Sequence, residues 1–533
     1  MGIVTISNIA RHGIVSDAPA AMQPPEAWTD ALNMRFIDSK AVRFSGEQAA
    51  MDPPSVPPAH VVNIQTSAGS FWLYASAIGA GSKVYVYNSG VHTDISNTGD
   101  YDVEDPSKWN STIFQGIPIL NHGGGIPQYW AEIDIGTDLD DLPNWPTDLT
   151  AKVIGSYKNY LVALNTSAPD DVRPHRVLVS DSAEPGTLPT SWDETDPAVD
   201  AVDYDLSDVN SGEIMWGAPL RDVFAIYKAE ATWIMRHIGG QLIMSWDPML
   251  QTSGILAPRC GVPLSLPIQK VQVHFVMTGE DLGIFNAQAF ESVVDRKIRK
   301  RLISSIDPTF FHLAHCFDNP AQDEAWFAYP ENGMDHCNMA VVWNYRTNTV
   351  TFRQYKGAHA ATGVVESTNE TTWDDFSDSV TWDNIGDDKW QDDSRRKLII
   401  ADDVNTKLLQ GDLGLDFNGT AFPSFVERTA LAIIGQDREG APLVDYQKRR
   451  LVTRIWPKVS GSPVLISLGG QDKIDGPLTY GTPMLYDPAG ESNYVDPDPP
   501  LNTRLVAIKI EDVNGQDFSC EGYDIDIHEL GDH

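Results

Sequence analysis

Five residues in one stretch are of the types that hold a transition metal: His312, His315 and Cys316, then His336 and Cys337. Imidazole nitrogen and thiolate sulfur suit zinc, and two such clusters on neighbouring strands can converge on one ion. The spacing argues against it. His312 and His315 stand three apart in a segment patterned as a strand, so their side chains point to opposite faces. The paired-cysteine spacing of a zinc ribbon is missing, and these read as scattered strand positions. Carboxylate pairs such as Asp374/Asp375 and Asp387/Asp388 are raw material for acid–base catalysis. In a chain with 74 acidic residues, however, such pairs arise from composition alone. No calcium loop with an EF-hand's glycine and terminal glutamate is present. No catalytic residue, metal or cofactor is expected.

Two local motifs have enzymatic counterparts. Ser180-Asp181, Gly186-Thr187 and Trp192 resemble the Asp-box turn of sialidase-type proteins, which closes a hairpin and is structural even in enzymes. His122 to Gly125 is similar to a lipase oxyanion loop, but no G-x-S-x-G elbow accompanies it. Basic residues concentrate in two places. One is Arg296, Lys297, Arg299, Lys300 and Arg301, and the other is Lys448, Arg449 and Arg450, with Arg454 following. On a nucleic-acid binder these would be the electrostatic footprint. On an acidic chain that assembles with itself they suit a neighbour's carboxylates, and a subunit interface is the preferred reading.

The elements that must position these residues are strands. The chain has 533 residues, of which 42% are hydrophobic and 9% aromatic, enough to bury a substantial core. With 38 basic against 74 acidic side chains its formal charge is −36. Such a chain repels phosphate backbones rather than gripping them. Four scattered cysteines are too few for a disulfide scaffold, and a reducing compartment of synthesis is expected. The first residues lack the basic-then-apolar pattern of a signal peptide, and Ile6 stands where a myristoylation site wants Ser or Thr. No run approaches the ~18–20 apolar residues that cross a bilayer, so a soluble protein without a membrane anchor is expected.

Short alternating runs separated by turn residues dominate, the signature of antiparallel strands. Ser70–Ala77 and Lys83–Tyr87 predict a hairpin pair. The clearest unit runs from Thr309 to Tyr355, with four strand-like segments joined at Asp318-Asn319-Pro320, Glu331-Asn332-Gly333 and Arg346-Thr347-Asn348. A turn-then-aromatic-strand unit recurs every ~44–63 residues, near the ~40–50 of four-stranded blade repeats. This period predicts an all-β chain built as a β-propeller of about six blades, with additional small β-sandwich-like elements. The expected division is an N-terminal arm and linker over 1–58, blades over 59–395, and C-terminal strands over 396–533 that complete the propeller or form a small β-domain. Between Glu370 and Asp393 lie Trp373, Trp382 and Trp390 among Asp374, Asp375, Asp378, Asp383, Asp387 and Asp388. Such a run prefers water and reads as an exposed loop.

The order of several dispersed motifs resembles the tail nozzle proteins of short-tailed bacteriophages, also called tail tubular, tail hub or packaged-DNA stabilisation proteins. Glu26–Phe36 (EAWTDALNMRF) is similar to that family's entrance after a proline-rich arm. Tyr101, Trp109, Phe114, Asn121 and Pro127-Gln128 follow in the family's order. Next come Val177 through Ser180-Asp181 to Trp192, then Gly212–Met235, Gly254-Ile255 and Met277-Thr278-Gly279. Arg504–Ile510 (RLVAIKI), Gly522–Ile527 (GYDIDI) and Gly531 are similar to its closing strand pair. Two departures stand out. Ser39-Lys40 replaces the usual turn glycine after Asp38, and no long insertion of the kind assigned to fibre docking is evident.

The resemblance implies a structural, non-catalytic virion protein, made in the host cytoplasm and located in the tail. It implies a homo-oligomer, typically a hexamer, below a tail adaptor, with fibre, spike or needle proteins as further partners. Genomic DNA would pass through its channel without sequence-specific binding. Under this reading the Asp/Trp-rich run is the candidate lumen or gate loop. The alternative is a propeller-type protein that binds or hydrolyses host-surface glycans, which would need an arginine cluster with paired carboxylates in one mouth.

Overall fold

The computed structural model describes residues 2–67, 69–97, 101–207, 212–365, 396–436, 442–474 and 476–530. Strands dominate, and the only α-helix among the described residues is the seven-residue Arg299–Ser305. Local alternation accounts for many of the strands. In Arg449–Gly461, buried and partly exposed positions alternate over most of the length, as a strand with one covered face requires. Val223–Lys228 is buried at every position, and a strand covered on both faces reads as an unbroken apolar run.

The strands form several separate, open sheets. Most of the chain from His60 onward is a succession of four-stranded antiparallel sheets. These span His60–Asp94, Asn110–Asp141, Thr150–Asp205, Ile214–Leu250 and Gly261–Ser292, each in simple meander order. The predicted hairpin pair is present, with Trp72 opposite Tyr87 and Tyr74 opposite Tyr85. The four-segment unit also folds as read: His315–Asn319, Glu324–Tyr329, Met339–Asn344 and Thr349–Gln354 pair in sequence. That unit does not stand alone, because it is one end of a ten-stranded sheet.

The expected propeller of about six blades with sandwich-like additions is therefore corrected. Among the described residues the sheets are open and unfused, and none closes into a barrel or propeller. The repeat period reports the length of a four-strand meander, which is set by local hairpins. How such units join is decided by pairing across the whole chain, which a period does not encode.

That long-range pairing ties the two ends of the chain to its middle. Residues 1–58, read from the sequence as an arm and linker, contribute strands to three sheets. Asp30–Leu32 inserts between Thr349–Gln354, to which it is parallel, and Phe425–Leu431, to which it is antiparallel. Gly2–Ser7 runs along Phe518–Leu530, with Val4 opposite Ile525. Glu47–Ala49 completes a four-stranded sheet with His359–Gly363, Lys397–Asp402 and Lys407–Gly411. The closing strands are not a pair: Leu505–Asp512 lies in the ten-stranded sheet and Phe518–Leu530 in a six-stranded one. At the turn after Ile37, Asp38 and Ser39 both adopt positive φ, 47° and 67°. Two successive left-handed residues are what a two-residue hairpin between Met34–Ile37 and Lys40–Arg43 requires.

Buried ion pairs pin this interlock. Arg35 Nε donates to Glu324 Oε1 at 2.7 Å, and its Nη2 donates to Glu324 Oε2 at 3.0 Å and to Asp412 Oδ1 at 2.6 Å. Asn319 donates to the other oxygen of Asp412, and the Trp326 indole donates to Glu324. Beside them Arg353 Nη2 meets Glu47 Oε1 at 3.1 Å, with both side chains almost wholly buried. All four cysteines are buried and unpaired. No described helix is long and apolar enough to cross a membrane.

Candidate functional site

The opening strands of successive sheets come together around a cavity of about 960 Å³. Its wall includes His60, Ser111, Ser156, Gly217, Gly261 and His359, each from a different sheet. Close packing dictates one of these residues: a Cβ on Gly261 would lie 2.4 Å from the Trp216 ring. A second cavity of about 420 Å³ adjoins, lined in part by Asp105, Phe310, Cys337 and Asp403. Arg259 and His312 belong to the walls of both.

At the wall of the larger cavity sits a cluster of imidazoles. The rings of His60 and His359 lie 4.4 Å apart, and those of His315 and His359 6.0 Å apart. Hydrogen bonds set their tautomers. His315 Nδ1 lies 3.2 Å from the Leu313 carbonyl, so it carries the proton, and Nε2 accepts from the Tyr355 hydroxyl at 3.0 Å. His359 Nδ1 accepts from the Val61 amide at 3.3 Å. Burial, followed by the nearby Arg259 charge, pushes His60 and His315 down to about 3. His359 is driven well below its ordinary value by burial, then by His60 and Arg259. These imidazoles are neutral at physiological pH. The Cys337 thiol, 3.9 Å from His315 Nδ1, is pushed up to about 12 by burial. A thiol held protonated is a poor nucleophile and a poor ligand.

Of the five sequence candidates for metal binding, the fold brings only His315 and Cys337 into contact. His312 sits in a 3₁₀ turn, Phe311–Leu313, rather than in a strand. Cys316 is buried in the principal core, and His336 pairs with Asp335 at 2.9 Å. Among the described residues no group of three or more His, Cys, Asp or Glu is arranged to hold a metal. The Asp-box-like residues form a turn. Asp181 accepts from the amides of Ser182 and Asp200, and Trp192 packs edge-on against Trp145. His122 packs against Tyr101 and Trp109, and burial lowers its pKa.

The two basic groups are extensively engaged within the chain. Lys297 Nζ donates to the Asn348 carbonyl at 2.7 Å, and burial lowers its pKa to about 8. Arg299 reaches Asp281 and Asp295, each at 3.3 Å. Arg301 meets Asp30 at 2.6 Å and lies over the Phe352 ring, while the Lys300 amide donates to Asp17. Arg296 is 93% exposed and has only Asp295 beside it, at 3.8 Å. In the second group Lys448 pairs with Glu529, and Arg449 with Asp472 at 3.2 Å. Arg450 is fully buried and donates to the carbonyls of Ile433 and Ala432. The candidate gate residues, Trp373, Asp374, Asp375, Asp378, Trp382, Asp383, Asp387, Asp388 and Trp390, lie outside the described residues.

Sequence reasoning missed His60, Arg259 and His359. No motif surrounds them, and they meet only because strands some 300 residues apart in the chain lie side by side, as the hydrogen bond between Val61 and His359 shows. The larger cavity has a single arginine on its wall, so it lacks the arginine cluster that a sialidase-like site needs.

No protein-family model matches the chain, and no curated protein matches it. Among solved structures, it is similar to BBS1N in complex with ARL6DN, soaked with mercury. The TM-score there is 0.32 at 11% identity, covering 64% of this chain and 94% of that one. The lead-soaked form of the same complex gives 0.31 at 11% identity, covering 64% and 97%. An extracellular domain of a one-component system from B. thetaiotaomicron gives 0.29 at 9% identity, covering 58% and 40%. Likeness at this level carries nothing about function, and none of these is a phage protein.

Proposed function

We propose that the chain is a non-catalytic structural subunit that assembles into a ring around a DNA path, as the nozzle of a short phage tail does. The observation that carries this reading is electrostatic. The formal charge is −36, and most of the concentrated basic residues are spent on internal partners. A ring of such subunits presents phosphate with a repelling wall, so duplex DNA slides through without being held. The ordered series of motifs from Glu26–Phe36 to Gly522–Ile527 supports the same reading. Neutral histidines beside the main cavity and a protonated thiol on the wall of the smaller one are consistent with a role that needs no acid, base or nucleophile.

The test is the mass of the purified protein in solution, alone and with tail adaptor, followed by particle imaging. A six-fold ring with an open centre about as wide as duplex DNA is expected. A chain that stays monomeric under both conditions, or that turns over surface glycans, overturns the proposal.

A further inference from the structure

Among the described residues six arginines are buried, and five of them have acceptors. Arg35 has Glu324 and Asp412, Arg353 has the Ser45 carbonyl with the Glu47 charge beside it, and Arg43, Arg428 and Arg450 have backbone carbonyls. Arg259 is the exception. It is 8% exposed, and its Nε, Nη1 and Nη2 are all buried without a hydrogen-bond partner. A buried guanidinium without an acceptor is costly, because it has lost its water without gaining hydrogen bonds in return; Asp105 acts on it only through space. The main chain around it is well ordered, since the Arg259 carbonyl accepts from the Cys316 amide at 2.8 Å. The side chain stands on the wall of both cavities. A second unmet group lies in the same wall: His60 Nδ1 is buried without a partner, while its Nε2 lies 3.0 Å from the Ser111 hydroxyl. If Ser111 donates to Nε2, His60 Nδ1 carries a proton and is a donor in want of an acceptor.

We propose that Arg259, assisted by His60, forms a binding site for a carboxylate monoanion between the two cavities. This site is independent of the ring-forming role above. The guanidinium fork matches a carboxylate in two parallel hydrogen bonds. The surrounding charge disfavours a dianion: Asp102, Asp105, Glu213 and Asp318 outnumber Lys108 and Lys152 on the wall of the larger cavity, and Asp105 lines the smaller one too. The guanidinium nitrogens have almost no open surface, so the site suits a compact group that the side chain turns to meet. A free small carboxylate and an aspartate side chain of another protein share this chemistry.

The experiment measures thermal unfolding and calorimetric titration of the full chain at pH 7.5 and constant ionic strength. The probes are sodium acetate, a blocked Gly-Asp-Gly peptide, sodium phosphate, and sodium chloride as the baseline. Acetate, the peptide, or both are expected to stabilise the wild type saturably, which also identifies the source as small-molecule or protein-borne. Arg259→Gln is expected to abolish that response yet unfold at or above the wild-type temperature in chloride, because it removes an unpaired charge. Arg259→Lys keeps the charge without the fork and is expected to bind at least tenfold more weakly. The absence of any saturable carboxylate response overturns the site, as does a response that survives Arg259→Gln. Tighter binding of phosphate overturns the ligand class. An Arg259→Gln protein that unfolds below the wild type in chloride shows a structural arginine and also overturns the proposal.

Discussion

Replacing Arg35 by methionine tests how the interlocked termini are held. The side chain of Arg35 is 7% exposed, and its partners Glu324 and Asp412 are 1% and 16% exposed. Burial pushes the Glu324 carboxyl up despite Arg35. At Asp412, burial is outweighed by Arg35, then by Arg353 and Asn319, and its pKa falls below the ordinary value. Methionine fills much of the volume but leaves two carboxylates facing each other without their cation. Breaking a buried pair in this way costs about 3–5 kcal/mol. For cooperative unfolding of 533 residues, an unfolding entropy of roughly 1.1 kcal/mol/K converts that into a fall of about 3–5 °C in Tm.

The pH dependence carries the sharper signature. In the wild type, the depressed Asp412 contributes stability that is present above its unfolded pKa and lost on acidification. Without Arg35 both carboxyls titrate above their unfolded values, so the folded protein takes up protons that the unfolded chain does not. The deficit of Arg35→Met therefore shrinks as pH falls from 8 to 5. Adding Glu324→Gln recovers part of the loss at pH 8, which a double-mutant cycle measures. Urea unfolding followed by tryptophan fluorescence at both pH values is the assay. A deficit below about 1 kcal/mol, or one equal at pH 8 and pH 5, refutes the reasoning.

Three further outcomes are expected. His60, His274, His315 and His359 are buried neutral with folded pKa values below 6.5, so the unfolded chain binds more protons once pH drops through that value. Stability falls between pH 6.5 and 5 by about 2 kcal/mol per histidine, offset by about one histidine's worth because burial raises Glu47 to about 7; urea midpoints that do not fall between pH 7.5 and 5 would contradict this. Gly46→Ala places a Cβ 2.1 Å from the Asp416 carbonyl oxygen and costs about 3 kcal/mol, whereas Gly136→Ala, with open space around it, stays within about 0.5 kcal/mol. In the ring proposed above, Arg296→Glu is expected to leave the unfolding of the subunit unchanged but to make the ring dissociate at lower salt; sedimentation velocity across a salt series reads this out, and rings equally stable in both proteins exclude Arg296 from the interface.

Much of the local structure was legible in the sequence because strands and turns are local. Apolar, aromatic-rich runs marked Glu324–Tyr329 and Met339–Asn344, and Glu331-Asn332-Gly333 marked the turn between them, where Gly333 takes φ 87°. The same reasoning failed at Phe311–Leu313, where an apolar run with a histidine reads as strand but turns as a 3₁₀ segment. It also overreached from repeat length to closure, since a meander of given length fits many arrangements.

By itself, the sequence determined the β character, the hairpins, the free cysteines and the acidic balance, because these depend on residue type and near neighbours. Tertiary structure alone decided that Asp30–Leu32 is spliced between strands hundreds of residues away, and that Arg35 meets Glu324 rather than water. It also decided that His60, Arg259 and His359 share one wall. The physical reason is that a strand's edge hydrogen bonds are satisfied equally well by many partners. The choice among them is made by side-chain packing and charge pairing over the whole chain, which no short stretch of residues records.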